Sequence, residues 1–294
     1  MTTSTTHTLD VPGAILRYDV RAHEPSREQT LLMVGSPMGA SGFAALADRV
    51  EDRTVVTYDP RGVDRSRRTD DATESTPDQH ADDLSRLIAH LAAGPVDVFA
   101  SSGGAVNALA LVARHPEQVR VLVAHEPPAA QNLPDREQAL AACLDVHETY
   151  QRSGFGPAMA KFIKLVSLKG AVPADFAIEP APNPADFGLP TEDDGSRDDA
   201  LVGQNIVSCT HYRHDFEALR SAPTHIVVGV GAESEGELAH RAGVAVAHEL
   251  ATTPVTFPGG HGGFLPPEYG PGGDPDAFAT TLRDVLAATS SIPA

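Results

Sequence analysis

The feature that most constrains the fold of this sequence is a buried strand that runs directly into a helix through a turn of very small residues. The turn lies at 100–104 (ASSGG). A side chain at the tip of such a turn needs a strained backbone, so the residues two positions away on either side must be small. Ala100 and Gly104 meet this requirement. The pattern therefore predicts that the Ser102 hydroxyl is presented at the carboxyl end of a strand.

Short apolar runs alternate with amphipathic stretches of helical length, which favours a mostly parallel sheet with helices on both faces. A chain of 294 residues, of which 41% are hydrophobic, can build such a core. Strands are predicted over 14–21, 30–35, 54–59, 95–101, 119–125, 224–230 and 254–257. Helices are predicted over 41–50, 77–93, 104–115, 235–249 and 275–288.

The alternation stops after Glu126 and resumes only at Thr224. The intervening segment has helical patterns near 135–152, 156–167 and 198–210. A loop rich in proline and acidic residues lies at 172–197. Because the chain returns to complete the first pattern, a second independent domain is the weaker interpretation. We predict an α/β core formed by 1–126 and 221–294, with a helical cap inserted at 127–220.

One of the 13 histidines follows the last predicted strand, in the glycine-rich loop at 258–263 (PGGHGG). A neutral imidazole at His261 could accept the proton of Ser102 and later return it to a leaving group. The helix that begins behind Ser102 offers free N–H groups and the positive end of its dipole. We therefore expect the amide of Gly103 to stabilise negative charge on a reacting oxygen.

Three stretches together resemble the α/β-hydrolase superfamily, and the resemblance covers nearly the whole chain. They are the turn at 100–104, the stretch 58–66 (YDPRGVDRS), which matches a D-x-R-G-x-x-x-S loop, and 257–264 (FPGGHGGF). The resemblance implies the α/β-hydrolase fold, with a mostly parallel central sheet and an inserted helical cap. It also implies a serine hydrolase in which Ser102 is the nucleophile and His261 the base.

The acid of the implied catalytic triad has two candidates. In most of the superfamily it follows the strand that corresponds to 224–230 as Gly-x-x-Asp, but here Ser234 occupies that position and Glu233 is one residue out of register. Glu126 ends the strand after the turn's helix, and the two prolines that follow it stiffen the backbone. Some members, including zearalenone-type lactone hydrolases, carry the acid there. Glu126 is our preferred acid and Glu233 the alternative.

The loop expected to supply the second oxyanion donor is unusual. Many relatives carry His-Gly-x after the third strand, whereas this chain has VGSPMG at 34–39. Pro37 falls where an amide donor is expected, and proline has no N–H group. We predict that the amide of Met38 acts with that of Gly103, and the backbone or hydroxyl of Ser36 is the alternative.

The resemblance implies cleavage of an apolar carboxylic ester or lactone through an acyl-enzyme, including a macrolactone such as zearalenone. C–C bond hydrolysis, aminopeptidase activity, perhydrolysis and ligand binding without turnover stay open. A serine nucleophile argues against dehalogenases and epoxide hydrolases, which attack with aspartate. Apolar cap side chains are candidates either for the pocket wall or for the cap's own core: Tyr150, Phe155, Met159, Phe162 and Leu165.

The composition of the chain indicates which classes of binding partner to expect. The net charge of −18 disfavours nucleic acid and anionic membrane surfaces. No run of about 18 apolar residues and no signal-peptide pattern is evident, so we expect a cytoplasmic protein. Cys143 and Cys209 have neither disulfide-framework nor metal-ligand spacing, which predicts buried free thiols, no metal and no cofactor. A homo-oligomer stays open.

Overall fold

The computed structural model describes residues 3–23, 26, 28–269 and 272–290. Its strands are β1 (Thr3–Val11), β2 (Ala14–Ala22), β3 (Leu31–Val34), β4 (Val55–Asp59), β5 (Arg67–Arg68), β6 (Val96–Ser101), β7 (Val119–His125), β8 (His225–Gly231) and β9 (Val255–Phe257). Its α-helices are α1 (Ala44–Ala47), α2 (Pro77–Leu91), α3 (Gly103–Arg114), α4 (Arg136–Ser153), α5 (Phe155–Val166), α6 (Ile206–Thr210), α7 (Phe216–Ser221), α8 (Leu238–Glu249) and α9 (Pro275–Ser290). Across these ranges, no helix is both long and apolar enough to cross a bilayer.

Short 3-10 turns occur at Ala40–Phe43, Pro116–Gln118, Ala130–Asn132, Phe176–Ile178, Pro184–Phe187 and Pro267–Tyr269, and a π-helical turn spans Leu201–Asn205. The strands form one sheet in the order β1-β2-β4-β3-β6-β7-β8-β9, with β5 paired to β2. The neighbours from β4 to β9 are parallel, whereas β1, β2 and β5 add antiparallel pairs at one side. The predicted fold class, an α/β-hydrolase fold with a mostly parallel sheet, is confirmed.

The apolar strand residues alternate between two cores, one on each face of the sheet. In β3, Leu32 and Val34 pack with α2, α3 and part of α8, whereas Leu31 and Met33 pack with α1 and α9. This period of two is the geometry of a strand whose two faces are both covered. Full burial of such a side chain stabilises the fold by roughly 1.5–3 kcal/mol.

Three elements differ from the sequence prediction. The strand β1 was not predicted, because its side chains from Ser4 to Thr8 are exposed and carry no hydrophobic alternation. It pairs antiparallel with β2 along its whole length. The helix predicted over 41–50 is a 3-10 turn followed by the single-turn helix α1, and α7 was also not predicted. Each of these elements is short or lies at the edge, where a periodic pattern is weak.

Between β7 and β8 the described chain forms helices α4 to α7 and short helical turns. Helices α4 and α5 share a third apolar cluster with Leu238 and Ala242 of α8. The division into a core and a cap at 127–220 stays a prediction. Helix α7 spans the predicted boundary at 220, and its Leu219 packs in the first core.

The stretch that matches the D-x-R-G loop follows β4 and is tied down by polar contacts. Arg65 Nε donates to Asp59 Oδ2 at 2.6 Å, and Ser66 Oγ donates to the Asp59 carbonyl at 2.7 Å. Arg61 makes a two-pronged ion pair with Asp83 at 2.8 and 2.7 Å, and both side chains are buried. These contacts fix the conformation of the loop, so the polar residues of the motif have a structural role.

Candidate active site

Ser102 lies at the junction of β6 and α3 with a strained backbone. Its φ of 58° and ψ of −131° are unusual for a residue with a side chain, and its N–H donates to the His125 carbonyl at 3.0 Å. There is no space for a side chain at Gly104, because a Cβ atom there would clash with the Val34 backbone. The small residues predicted around Ser102 therefore allow the helix to begin directly against β3.

Glu126 follows β7 and is fully buried, with a φ of 47°. Its Oε1 accepts hydrogen bonds from the Gly231 N–H at 2.8 Å and from the Ser234 hydroxyl. Its Oε2 lies 2.7 Å from His261 Nδ1. Ser234, which occupies the position where most relatives carry the acid, thus supports a carboxylate that comes from the neighbouring strand.

The charge state of this pair follows from its contacts. Burial alone would raise the pKa of Glu126, but the hydrogen bond and charge of His261, the charge of His125 and the Ser234 hydrogen bond outweigh it and lower the pKa to about 2. An ionised carboxylate only accepts hydrogen bonds, so His261 Nδ1 must carry the hydrogen. This leaves His261 Nε2 free to accept a proton.

Glu233, the alternative candidate, lies in a different environment from Glu126. It is exposed, and its backbone N–H donates to the Gly259 carbonyl at 2.9 Å. Within the described residues, Glu126 is the carboxylate in hydrogen-bond contact with His261. The structure thus brings our preferred candidate to the imidazole, while its catalytic role stays a prediction.

Ser102 and His261 border the same cavity, which has a volume of about 190 Å³. Much of its wall comes from the segment between β7 and β8 and is apolar, including Phe162, Leu165, Leu201 and Ile206. Tyr150, Phe155 and Met159, the other candidates from the sequence, pack in the third apolar cluster and do not border the cavity of the described chain. An apolar group could therefore bind directly beside the Ser102 turn.

On the oxyanion side, Gly103 and Ser36 both border the cavity and lie against each other. A Cβ atom on Gly103 would come within 2.5 Å of the Ser36 carbonyl oxygen. The Met38 side chain instead packs over Gly42 and against the second core, and Met38 is absent from the cavity wall of the described chain. Gly103 and Ser36 thus lie together at the cavity, and both assignments of the second donor, the Met38 amide and the alternative Ser36, stay predictions.

Asn205 is a residue of this site that sequence reasoning missed. It ends the π-helical turn, borders the cavity, and its Oδ1 accepts a hydrogen bond from Ser36 Oγ at 2.8 Å. Its Nδ2 in turn donates to the Ala200 carbonyl at 2.7 Å. Its partner Ser36 is remote in sequence, and an asparagine inside a helical pattern gives no local signal of such a contact.

Both cysteines are free and buried, as the sequence predicted, and both also border the cavity. Burial raises the pKa of each thiol, Cys143 and Cys209, to about 12. They are therefore neutral and contribute small apolar surfaces to the wall. In the part of the chain that the structure describes, no group of three or more His, Cys, Asp or Glu residues could bind a metal ion.

His125, the last residue of β7, is fully buried beside the triad candidates. Its ring lies 6.4 Å from that of His261 and packs among aromatic rings of the second core: Phe99, Phe257, Phe264 and Phe278. Neither ring nitrogen has a hydrogen-bond partner among the described residues. Burial lowers the pKa of His125 to about 4, although the charge of Glu126 acts in the opposite direction.

Comparisons with known proteins agree with this architecture. A family model described as the alpha/beta hydrolase fold matches residues 33–166. The uncharacterised hydrolase YraK of Bacillus subtilis strain 168 is 34% identical over 264 residues, which cover 87% of this chain and 89% of YraK.

Two solved structures share the fold at a TM-score of 0.66. A thermophilic esterase from Thermogutta terrifontis is 18% identical, with 98% of this chain and 99% of the esterase covered. The enol-lactonase of Burkholderia xenovorans LB400 is 17% identical, with 96% and 100% covered. At these identities the likeness concerns the fold, whereas the similarity to YraK extends to sequence. The chain belongs to the α/β-hydrolase family.

Proposed function

We propose that this protein hydrolyses a carboxylic ester or lactone through an acyl-enzyme on Ser102. The observation that carries the proposal is that the strained Ser102 turn and the Glu126–His261 pair meet at one apolar cavity. A buried, ionised carboxylate that fixes an imidazole tautomer is the arrangement that activates a serine hydroxyl. The names of the two solved structures, an esterase and an enol-lactonase, support the same reaction class.

In the proposed mechanism, His261 Nε2 accepts the proton of Ser102 Oγ as that oxygen bonds to the substrate carbonyl carbon. The carbonyl electron pair moves to its oxygen, which the Gly103 N–H and a donor from residues 36–38 stabilise. The bond to the alcohol then breaks, and the alcohol leaves with the proton from His261. Water then attacks the acyl carbon as His261 accepts its proton. The bond to Ser102 Oγ breaks, the carboxylic acid leaves, and His261 returns the proton to Ser102 Oγ. Glu126 stabilises the imidazolium without becoming protonated.

The cavity also supports a proposal about substrate size. Its volume of about 190 Å³ is below the range of roughly 300–1,000 Å³ that is usual for pockets of drug-sized ligands. We therefore propose esters with short apolar acyl groups, or small lactones. The resemblance to zearalenone-type lactone hydrolases rests on the position of Glu126 alone. A macrolactone as large as zearalenone would require the helices of the cavity wall to move outward.

A fluorophosphonate probe tests the nucleophile. We expect one adduct, on Ser102, and loss of both labelling and hydrolysis in Ser102→Ala. Ser101→Ala, which alters the adjacent buried serine, is the matched control and should still be labelled. A panel of p-nitrophenyl esters from acetyl to dodecanoyl, with aliphatic and aromatic lactones and zearalenone, then defines the substrate. The absence of any adduct on folded protein would contradict the proposal and favour ligand binding without turnover.

A further inference from the structure

The cavity beside Ser102 contains a carboxylate that the proposed reaction does not use. Glu237 immediately precedes α8, and it borders the cavity together with Ser102 and His261. Its backbone N–H donates to the Ser234 carbonyl at 2.9 Å, which fixes the position of the residue. Within the described chain, its carboxylate has neither a hydrogen-bond donor nor an ion-pair partner at contact distance.

The charged side chains around Glu237 compensate its charge only in part. Burial and the negative charge of Glu126 raise the pKa of Glu237, and the charges of Lys169, His261 and His240 only partly oppose this. A carboxylate that is partly removed from water is normally matched by a cation or by hydrogen-bond donors. The protein provides neither at contact distance within the described residues, so this position is suited to a ligand that supplies one.

The rest of the cavity wall strengthens this argument. No lysine or arginine of the described chain borders the cavity, and most of its wall is apolar, as in Phe162, Val166 and Leu238. Low polarity around a charge strengthens its interaction with a second charge. The net charge of −18 adds a field that attracts cations to the protein.

We propose that Glu237 is a specificity-determining residue that makes this site prefer esters with a positively charged group near the scissile bond and disfavour esters with a carboxylate there. The inference rests on the proposed ester hydrolysis at Ser102. The substrate class is an ester or lactone with an apolar acyl or alcohol part and an ammonium group. An attraction over several ångströms at the edge of a partly desolvated cavity corresponds to roughly ten- to hundredfold in kcat/KM.

Isosteric esters test this proposal. Methyl 6-aminohexanoate, methyl heptanoate and monomethyl pimelate place an ammonium, a methyl and a carboxylate group at the same distance on the acyl side. Butanoylcholine and its carbon isostere 3,3-dimethylbutyl butanoate place the charge on the alcohol side. We expect one cationic ester to exceed its neutral isostere by roughly ten- to hundredfold in kcat/KM, and the carboxylate ester to be the poorest substrate. The preference should weaken as salt concentration rises.

The variant Glu237→Gln keeps the shape and removes the charge, so the ratio of cationic to neutral kcat/KM should fall to within about threefold of one. Glu235→Gln removes the same charge from an exposed position two residues earlier and should leave the ratio unchanged. A wild-type enzyme that hydrolyses neutral esters without a charge preference, or a preference that persists in Glu237→Gln, overturns this inference alone. If no ester is hydrolysed and no probe adduct forms on Ser102, the proposed function fails as well.

Discussion

At the scale of single residues, the candidate site depends on a glutamate whose two carboxylate oxygens have separate tasks. Glu126 Oε1 is fixed by the Gly231 N–H and the Ser234 hydroxyl, which leaves Oε2 directed at His261. The sequence indicated this residue because it ends a strand and precedes two prolines. It could not indicate the role of Ser234, since that contact depends on how β7 and β8 pair.

Substitutions of Glu126 and Glu233, made one at a time, test which of them is the catalytic acid. Glu126→Gln keeps the shape of the side chain but removes the charge that stabilises the imidazolium, so we expect kcat to fall by about a thousandfold or more. Glu233→Gln, at the exposed alternative, should change kcat by less than about twofold, since exposed substitutions away from a site are nearly neutral. Steady-state kinetics with the best ester of the panel measures both. An equal loss in the two variants would refute our assignment.

At the scale of elements, the last residue of β7 and the residue that follows it point to different environments. His125 enters the aromatic layer of the second core, whereas Glu126 turns back toward His261. The apolar run of β7 was sufficient to predict the strand, because its residues are buried on both faces. The unpartnered burial of His125 was not predictable, since it depends on rings that arrive from β6, β9 and α9.

This burial makes β7 sensitive to acid. The folded pKa of His125 of about 4 lies below its ordinary value of 6.5, so the unfolded chain binds a proton between these values that the folded protein does not. The stability contributed by a neutral His125 is therefore fully present above about pH 6.5 and is lost as the pH falls toward 4. When the pH is lowered from about 7 to about 5, the free energy of unfolding should fall in both proteins. The fall should be about 2 kcal/mol smaller in His125→Phe than in the wild type.

Urea unfolding at a series of pH values measures this difference. The control His248→Gln alters an exposed histidine on α8 and should follow the wild-type profile. Parallel profiles for His125→Phe and the wild type would show that His125 does not cause the acid sensitivity.

At the scale of the whole molecule, the candidate chemical groups and the pocket wall come from different parts of the chain. Ser102, Glu126 and His261 lie at the carboxyl ends of strands, whereas much of the apolar wall comes from residues between β7 and β8. The strand ends carry local motifs, so the sequence located them. The wall depends on how helices pack onto the sheet, which explains why Phe162 and Leu165 border the cavity while Phe155 and Met159 do not.

Truncating a side chain of the cavity wall should change which acyl length the enzyme prefers and leave the type of reaction unchanged. Phe162→Ala enlarges the cavity, so we expect the ratio of kcat/KM for octanoyl over acetyl esters to rise by about tenfold, since each buried methylene contributes to discrimination. Phe155→Ala removes the same side chain from the third apolar cluster and should leave this ratio unchanged. The ester panel measures both. A rise of equal size in Phe155→Ala would mean that the wall is not what limits acyl length.

The hydrogen bond from Ser36 to Asn205 joins the loop after β3 to the π-helical turn at the wall of the cavity. Residues 201–205 therefore cannot swing away from the sheet without either losing this bond or pulling residue 36 along. Admitting a bulky guest by that route would disturb the backbone against which Gly103 rests. Widening the cavity on this side and keeping the backbone of residues 36 and 103 in place are therefore competing demands.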